Sequence, residues 1–288
     1  MTTRPNRATS QLAGVAMVTI AAAGWGTWSL FLTPTGLPAV VTAPIVFLVM
    51  GLAGIPLMLR EPRPRWDRRA LWLLAGYTAF DLLNVLAFFA AMNHTTIAIA
   101  VLTHYAAPIL IALAAPVVDG TSTRGTRPAA VVALAGLVIV LEPWHSPAAG
   151  ALAGAMLGLA SAVCYAGNVF VVRRLAAQIG SARAIVTHSL LAAAITLPFA
   201  APYLHRVTAA DLGYLATGSI TIGTGAGVLF VVGLGRIGSA RAAVLTFAEP
   251  LVAVCVGALA WAQPLGPLAA IGGALVLAAG LHVSRQAR

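Results

Sequence analysis

Long apolar runs separated by short polar breaks make up most of the chain. Reading from one charge cluster or Pro/Gly break to the next gives ten segments, at about 12–32, 38–59, 70–91, 95–118, 128–141, 149–172, 184–201, 212–234, 239–262 and 265–283. A helix needs ~20 residues to cross the hydrocarbon core of a bilayer, and within that core it satisfies its own backbone polar groups. The pattern therefore predicts an all-α membrane protein with ten transmembrane helices. The fifth segment is the shortest. The first follows Arg4 and Arg7 and contains Ala21-Ala22-Ala23, which resembles a processing site. Its apolar run, from Leu12 to Leu32, is longer than the about 7–15 residues of a secretory signal core, and predicts a retained first helix.

Composition supports this reading. The 288 residues are 60% apolar and 8% charged, against about 45–50% and about 25% in soluble domains. Ten helices of ~20 residues use about 200 of them and leave no room for a soluble domain. A net charge of +10 in a soluble protein would suggest nucleic acid. Here the basic residues stand singly or in short groups between apolar runs, so membrane topology explains them and no nucleic-acid partner is expected. With the N-terminus inside, the cytoplasmic segments hold Arg4, Arg7, Arg60, Arg63, Arg65, Arg68, Arg69, Arg124, Arg127, Arg173, Arg174, Arg183, Arg236, Arg241, Arg285 and Arg288, and only Arg206 falls outside. Cytoplasmic loops retain basic residues, which predicts that both termini are cytoplasmic. Cys164 and Cys255 lie in apolar runs with no disulfide or zinc spacing, and no cofactor or metal is expected.

The chain also repeats itself. Ala100-Val101-Leu102-Thr103 returns as Ala243-Val244-Leu245-Thr246, an offset of 143, and each copy is followed by a proline, Pro108 or Pro250. Val85-Leu86 matches Val228-Leu229 at the same offset, and Trp25 matches the aromatic Tyr165 at 140. Similar composition of small-residue helices is the plainer explanation of any single match, but the shared offset favours two halves, 1–145 and 146–288. Five spans per half would make the repeat inverted, an arrangement that in transporters places the substrate near the bilayer midplane.

These features together resemble the drug/metabolite transporter superfamily, in particular its ten-helix members built from two EamA-type repeats. The stretch from Leu234 to Leu281 bears most of the likeness: a short-loop helix pair, Glu249-Pro250 within the ninth helix, a break near Pro264 and a Gly-rich last helix. A weaker copy runs from Ala90 to Leu141, and Gln263 stands where the family often has Glu. Within the superfamily, His104-Tyr105 ahead of Pro108 is similar to an Asn-Tyr in the YddG-like group of aromatic amino acid exporters, although Ala106 and Ala107 replace bulkier residues. The resemblance implies two inverted EamA-like repeats in a bacterial inner membrane.

Candidate site residues follow from the cost of polar groups in lipid. A charged side chain at mid-membrane costs at least ~2.5–3.5 kcal/mol and suggests function. Glu61, Asp67, Asp119, Glu142 and Asp211 lie in loops or at span ends, which leaves Asp81 and Glu249. Asp81 shares a helical face with Tyr77, Asn84 and Phe88. It is either a protonated packing residue or part of a cavity wall, and the clustering favours the wall. Pro108 and Pro250 should bend helices four and nine, since proline removes a backbone donor and clashes with the preceding turn. Glu249, one turn after Thr246, either holds that bend or meets substrate. His104 and Tyr105 take the matching place in helix four, where the imidazole can bind substrate, exchange a proton with Asp81 or bridge helices. Ser161, Tyr165 and Asn168 align on helix six as Trp25 and Trp28 do on helix one, as a binding wall or as packing. Thr217, Thr221 and Thr224 form a polar stripe on helix eight, although threonines often bond their own helix. Glycines 150, 154 and 158 permit close helix contact, internal or between copies.

The chain has no lysine and no arginine in the centre of a span, which disfavours the phosphate-bearing substrates of related carriers. A neutral or zwitterionic metabolite fits better. The expected function is alternating-access export of amino acids, aromatic or other neutral ones, or of similar small metabolites, with the lipid bilayer as surroundings and no oligomer required. A broad drug or nucleobase efflux carrier is the alternative. An intramembrane enzyme is disfavoured, because Ser161, Ser189 and His188 form no known catalytic motif. A channel is disfavoured too.

Overall fold

The computed structural model describes residues 7–120, 125–145, 150–263, 266 and 268–285. Arg4, Arg124, Arg288 and the break near Pro264 lie outside the described residues. Among those residues every secondary-structure element is a helix. Eight helical stretches are long and apolar enough to cross a membrane: Thr9–Thr35, Ala39–Arg60, Arg68–His94, Ile99–Val118, Ala151–Ile179, Ser181–Arg206, Ala209–Ile237 and Ser239–Trp261. Two shorter apolar helices, Thr126–Leu141 and Ala269–Arg285, fall on the fifth and tenth predicted segments. The chain is a multi-pass membrane protein.

In chain order the α-helices are α1 (Arg7–Trp25), α2 (Ser29–Leu32), α3 (Ala39–Arg60), α4 (Arg68–His94), α5 (Ile97–His104), α6 (Ala107–Val118), α7 (Thr126–Leu141), α8 (Ala151–Ile179), α9 (Ser181–Ala200), α10 (Ala209–Gly218), α11 (Ala226–Ile237), α12 (Ser239–Leu245), α13 (Ala248–Trp261) and α14 (Ala269–Arg285). The sixth segment runs on through Arg173 and Arg174 to Ile179, beyond the end that the charges suggest. Arginine is a good helix former, so a charge marks the edge of the lipid without stopping the helix. Between α10 and α11, Ser219–Gly225 form a π-helix, which apolar periodicity does not reveal.

The proline-bearing segments four and nine are both interrupted. Tyr105 and Ala106 separate α5 from α6, and Thr246 and Phe247 separate α12 from α13. Pro108 and Pro250 then sit in the first turn of the following helix, where a missing N–H costs little because that donor has no partner within the helix.

The most extensive helix pairs are α4 with α8, α3 with α9, α7 with α14 and α1 with α11. Small residues allow the close crossings. A Cβ on Gly136 would stand 2.7 Å from the Gly272 carbonyl, and one on Gly272 would stand 2.4 Å from the Gly136 carbonyl. Gly136→Leu is expected to force α7 and α14 apart and lower stability by about 1–3 kcal/mol, in the range of core overpacking. Thermal unfolding of purified protein in detergent checks this, and an unchanged midpoint would mean that the crossing is looser. The GxxxG glycines are internal. Gly154 faces Thr95 and Gly158 faces Thr103, while Gly150 precedes α8 with φ of 70° and abuts the His94 carbonyl.

Three acids expected at span ends tie the start of a later helix to the end of an earlier one. Glu61, after α3, accepts from the backbone N–H groups of Ala182 (2.9 Å) and Arg183 (3.0 Å) at the start of α9. Asp119, after α6, accepts from the Ser239 hydroxyl at the start of α12 (2.6 Å) and pairs with Arg173 (2.8 Å). Glu142, after α7, accepts from Leu268 N–H just before α14 (3.2 Å). Carboxylates suit helix N-termini, where backbone donors are free and the dipole is positive. Asp67 does the same for α4: the Ala70 N–H, then the Gln178 amide, hold its carboxyl below the usual carboxylate range. Its contribution is present above the ordinary carboxylate pKa and is lost as pH falls through the lowered value.

The two ends of the bundle follow from these ties. Arg183 and Glu61, Arg173 and Asp119, Asp119 and Ser239, and Gln178 and Asp67 meet at one end. The Trp261 indole N–H donates to Ser29 Oγ (3.1 Å) at the other, where Glu142 meets Leu268.

Candidate functional site

A ladder of polar side chains runs between α4 and α8 in the middle of their spans. The Asn168 amide donates to Asp81 Oδ1 at 2.8 Å. The Ser161 hydroxyl donates to Asn84 Oδ1 at 2.7 Å and lies 2.8 Å from His104 Nδ1. Helical spacing produces the register: Asp81 and Asn84 are three apart on α4, Ser161 and Asn168 seven apart on α8, and the helices run antiparallel. Each rung meets its partner, as buried polar groups must.

Rings enclose the His104 end. Phe88, Tyr105 and Tyr165 lie 4.9, 5.3 and 5.4 Å from its imidazole, the two tyrosines edge-on. Tyr105 also meets Phe247 at 5.7 Å, so the interruptions of segments four and nine touch. There His104, Tyr105, Ala107, Pro108, Tyr165, Thr246 and Glu249 line a small cavity of about 10 Å³, room for about one water. The Tyr105 hydroxyl is within hydrogen-bond reach of the Glu249 carboxyl, and the Tyr165 hydroxyl of Thr246. The Thr246 hydroxyl is turned to its own helix and donates to Ala243 O at 2.7 Å.

The other end of the ladder holds a residue absent from the sequence-based site. His188 of α9 brings Nε2 to 3.1 Å from Asp81 Oδ2 and Nδ1 to 3.3 Å from Thr78 Oγ1. The Tyr77 ring lies against its imidazole at 4.1 Å. No periodic pattern on α9 marks it, because its polar partners all come from α4. A His between Thr187 and Ser189 inside an otherwise apolar run is the signal the sequence offers.

Tyr77, Asp81, Asn84, Phe88, His104, Tyr105, Tyr165, Asn168 and Glu249 are thus brought into one continuous neighbourhood. Trp25 and Trp28 make different contacts. The Trp25 indole donates to the Ile222 carbonyl of the π-helix at 3.1 Å and its ring meets Phe230 at 4.9 Å. Trp28 lies over Gly218. Gly26, in the turn after α1, approaches the Glu249 carbonyl so closely that a Cβ would not fit, so this turn borders the site through backbone. On helix eight, Thr217 and Thr221 bond their own helix, and Thr224 donates across to Met50 O at 2.9 Å.

An open cleft of about 590 Å³ lies at the arginine-rich end, bordered by Val118, Asp119, Arg173, Arg174, Ser181 and Gly235 among others. Among the described residues no group of three or more His, Cys, Asp or Glu is placed to hold a metal ion.

Part of the chain can be placed by comparison with known proteins. Residues 152–285 match the EamA-like transporter family. The matched residues run from α8 to α14 and include Tyr165, Asn168, His188 and Glu249. Over nearly the whole length the chain is 29% identical to a protein of Archaeoglobus fulgidus named an uncharacterized transporter, across 279 residues that make up 95% of this chain and 97% of the relative. A protein solved by crystallography shares the fold, with a TM-score of 0.79 at 22% identity over 97% of this chain and 99% of the other. The family match and the named relative support a membrane transporter.

Proposed function

We propose that the chain is an alternating-access transporter that exports amino acids, aromatic or other neutral ones, or similar small metabolites. The observation that carries the reading is the meeting of two interrupted helices, α5/α6 and α12/α13, around His104, Tyr105, Tyr165 and Glu249. Aromatic rings suit an apolar side chain, and Glu249 with the tyrosine hydroxyls suits an ammonium. A cavity of about 10 Å³ is too small for any amino acid, so in this reading the helices around it part during transport.

Ten spans in two inverted halves, 1–145 and 146–288, complete the proposal. The helix pairs support it: exchanging the first five segments with the last five turns the pair α4 with α8 into α11 with α1, and maps α3 with α9 and α7 with α14 onto themselves. Arg60, Arg63, Arg65, Arg68, Arg69, Arg173, Arg174, Arg183, Arg236 and Arg241 fall on helix ends and loops at the end marked by Glu61 and Asp119, which the positive-inside tendency makes cytoplasmic. Both termini are then cytoplasmic, in a bacterial inner membrane.

Proteoliposomes are expected to take up labelled phenylalanine, threonine or methionine saturably, with one displacing another. Flux of nucleobases or hydrophobic cations without amino acid flux would replace this reading by that of a broad efflux carrier.

A further inference from the structure

We propose that Asp81 and His188 form a proton-binding site that couples a proton gradient to transport, beside and distinct from the substrate site around Glu249; this rests on the transporter reading. The pair brings together α4 of the first half and α9 of the second. His188 is 2% exposed, and its ring is fixed by Tyr77 on one face and by the edge of Phe47 at 5.7 Å. Both ring nitrogens have polar partners, and both Asp81 oxygens are engaged, one by His188 and one by Asn168.

These contacts can hold two proton loads without rearrangement. In the unloaded state the Nε2–H of neutral His188 donates to the Asp81 carboxylate, and Nδ1 accepts from the Thr78 hydroxyl. The cluster then carries one negative charge. A proton added at Nδ1 makes the imidazolium, whose Nδ1–H donates to Thr78 Oγ1, and the hydroxyl turns from donor to acceptor. The cluster is now neutral. A single buried charge costs at least ~2.5–3.5 kcal/mol in a membrane, so loading favours the conformation that closes the pair off from water, and unloading favours one that opens it.

Few other groups could titrate there. From α4 the further titratable group is Tyr77, from α8 it is Tyr165, and α3 contributes the apolar Phe47.

Infrared difference spectra of the purified protein in nanodiscs, taken from about pH 5 to about pH 9, test proton binding without any substrate. Imidazole bands are expected to change, and the Asp81 carboxylate bands to shift as their hydrogen-bond donor becomes charged, with His188→Gln removing the change and Asp81→Asn moving it to another pH. Both variants retain side chains able to bond Asn168 and Thr78. In proteoliposomes a gradient of one pH unit is expected to raise labelled phenylalanine accumulation up to about tenfold at one-to-one coupling. Both variants should lose that accumulation, and His188→Gln should keep equilibrium exchange, which moves no net proton. Spectra unaltered by His188→Gln, or gradient-driven accumulation retained in both variants, overturns the proton site. If no amino acid moves in any protein while the spectra behave as expected, the proton site stands and the amino acid reading falls.

Discussion

Amino acid flux through the Glu249→Gln protein is expected to fall by about 10–100-fold when measured below saturation. A hydrogen bond from a charged donor contributes about 1.5–3 kcal/mol, and each 1.4 kcal/mol is a tenfold change in affinity. Glutamine retains the shape of the side chain and can still accept from Tyr105, but it offers no charge to a substrate ammonium. The loss should appear as weaker apparent affinity at little changed thermal stability, since glutamine keeps the bond to Tyr105. Flux measured in proteoliposomes over a range of substrate concentrations decides the matter. Unchanged affinity for an amino acid, with a reduced maximal rate alone, would make Glu249 a hinge residue at the α12/α13 interruption.

The Arg183→Met protein is expected to lose about 3–5 kcal/mol of stability, the usual result of removing one partner from a buried charged network. Arg183 is 8% exposed. Its guanidinium donates to the carbonyls of Ile179 (2.7 Å), Pro62 (3.0 Å) and Met58 (3.0 Å), and lies 3.8 Å from Glu61 Oε2. Methionine fills similar volume, leaves those carbonyls without the guanidinium and takes the positive charge from beside Glu61, which keeps its two backbone donors. The effect should be read as a lowered unfolding midpoint in detergent and a reduced yield of monodisperse protein. A midpoint within a degree or so of the parent would show that water replaces the guanidinium at this end of the bundle. Arg63→Met, on the loop between α3 and α4, serves as the control and should change little.

The apolar runs and their breaks located the helices because lipid leaves a spanning chain few choices: its backbone must bond to itself and its side chains must be apolar. The polar stripes on α4 and α8 were equally legible, since helical spacing alone puts Asp81 with Asn84 and Ser161 with Asn168. Pro108 and Pro250 predicted bends in segments four and nine, and both segments are interrupted just before them, whereas Pro44 and Pro56 lie within an unbroken α3. Other features left no local trace. His188 has no polar neighbour at helical spacing on α9, so its part in the Asp81 cluster appears only when α4 and α9 are set side by side. Glu61, Asp119 and Glu142 looked like ordinary loop acids, yet each binds the start of a helix at least 120 residues away. The π-helix at Ser219–Gly225 is a backbone adjustment that no side-chain pattern encodes, and it presents the carbonyl that Trp25 binds.

By itself, then, the sequence determined which residues enter the membrane and which side chains share a helical face, because both depend on neighbours within a few turns of one helix. Only the tertiary structure decided which faces meet. It set Asp81 against His188 and Asn168, turned Trp25 and Trp28 toward helix eight, and gathered His104, Tyr105, Tyr165 and Glu249 around one small cavity. Those choices depend on the fit of glycines such as Gly136, Gly158 and Gly272 against distant backbone and side chains, and close packing between helices is not a property of any one of them.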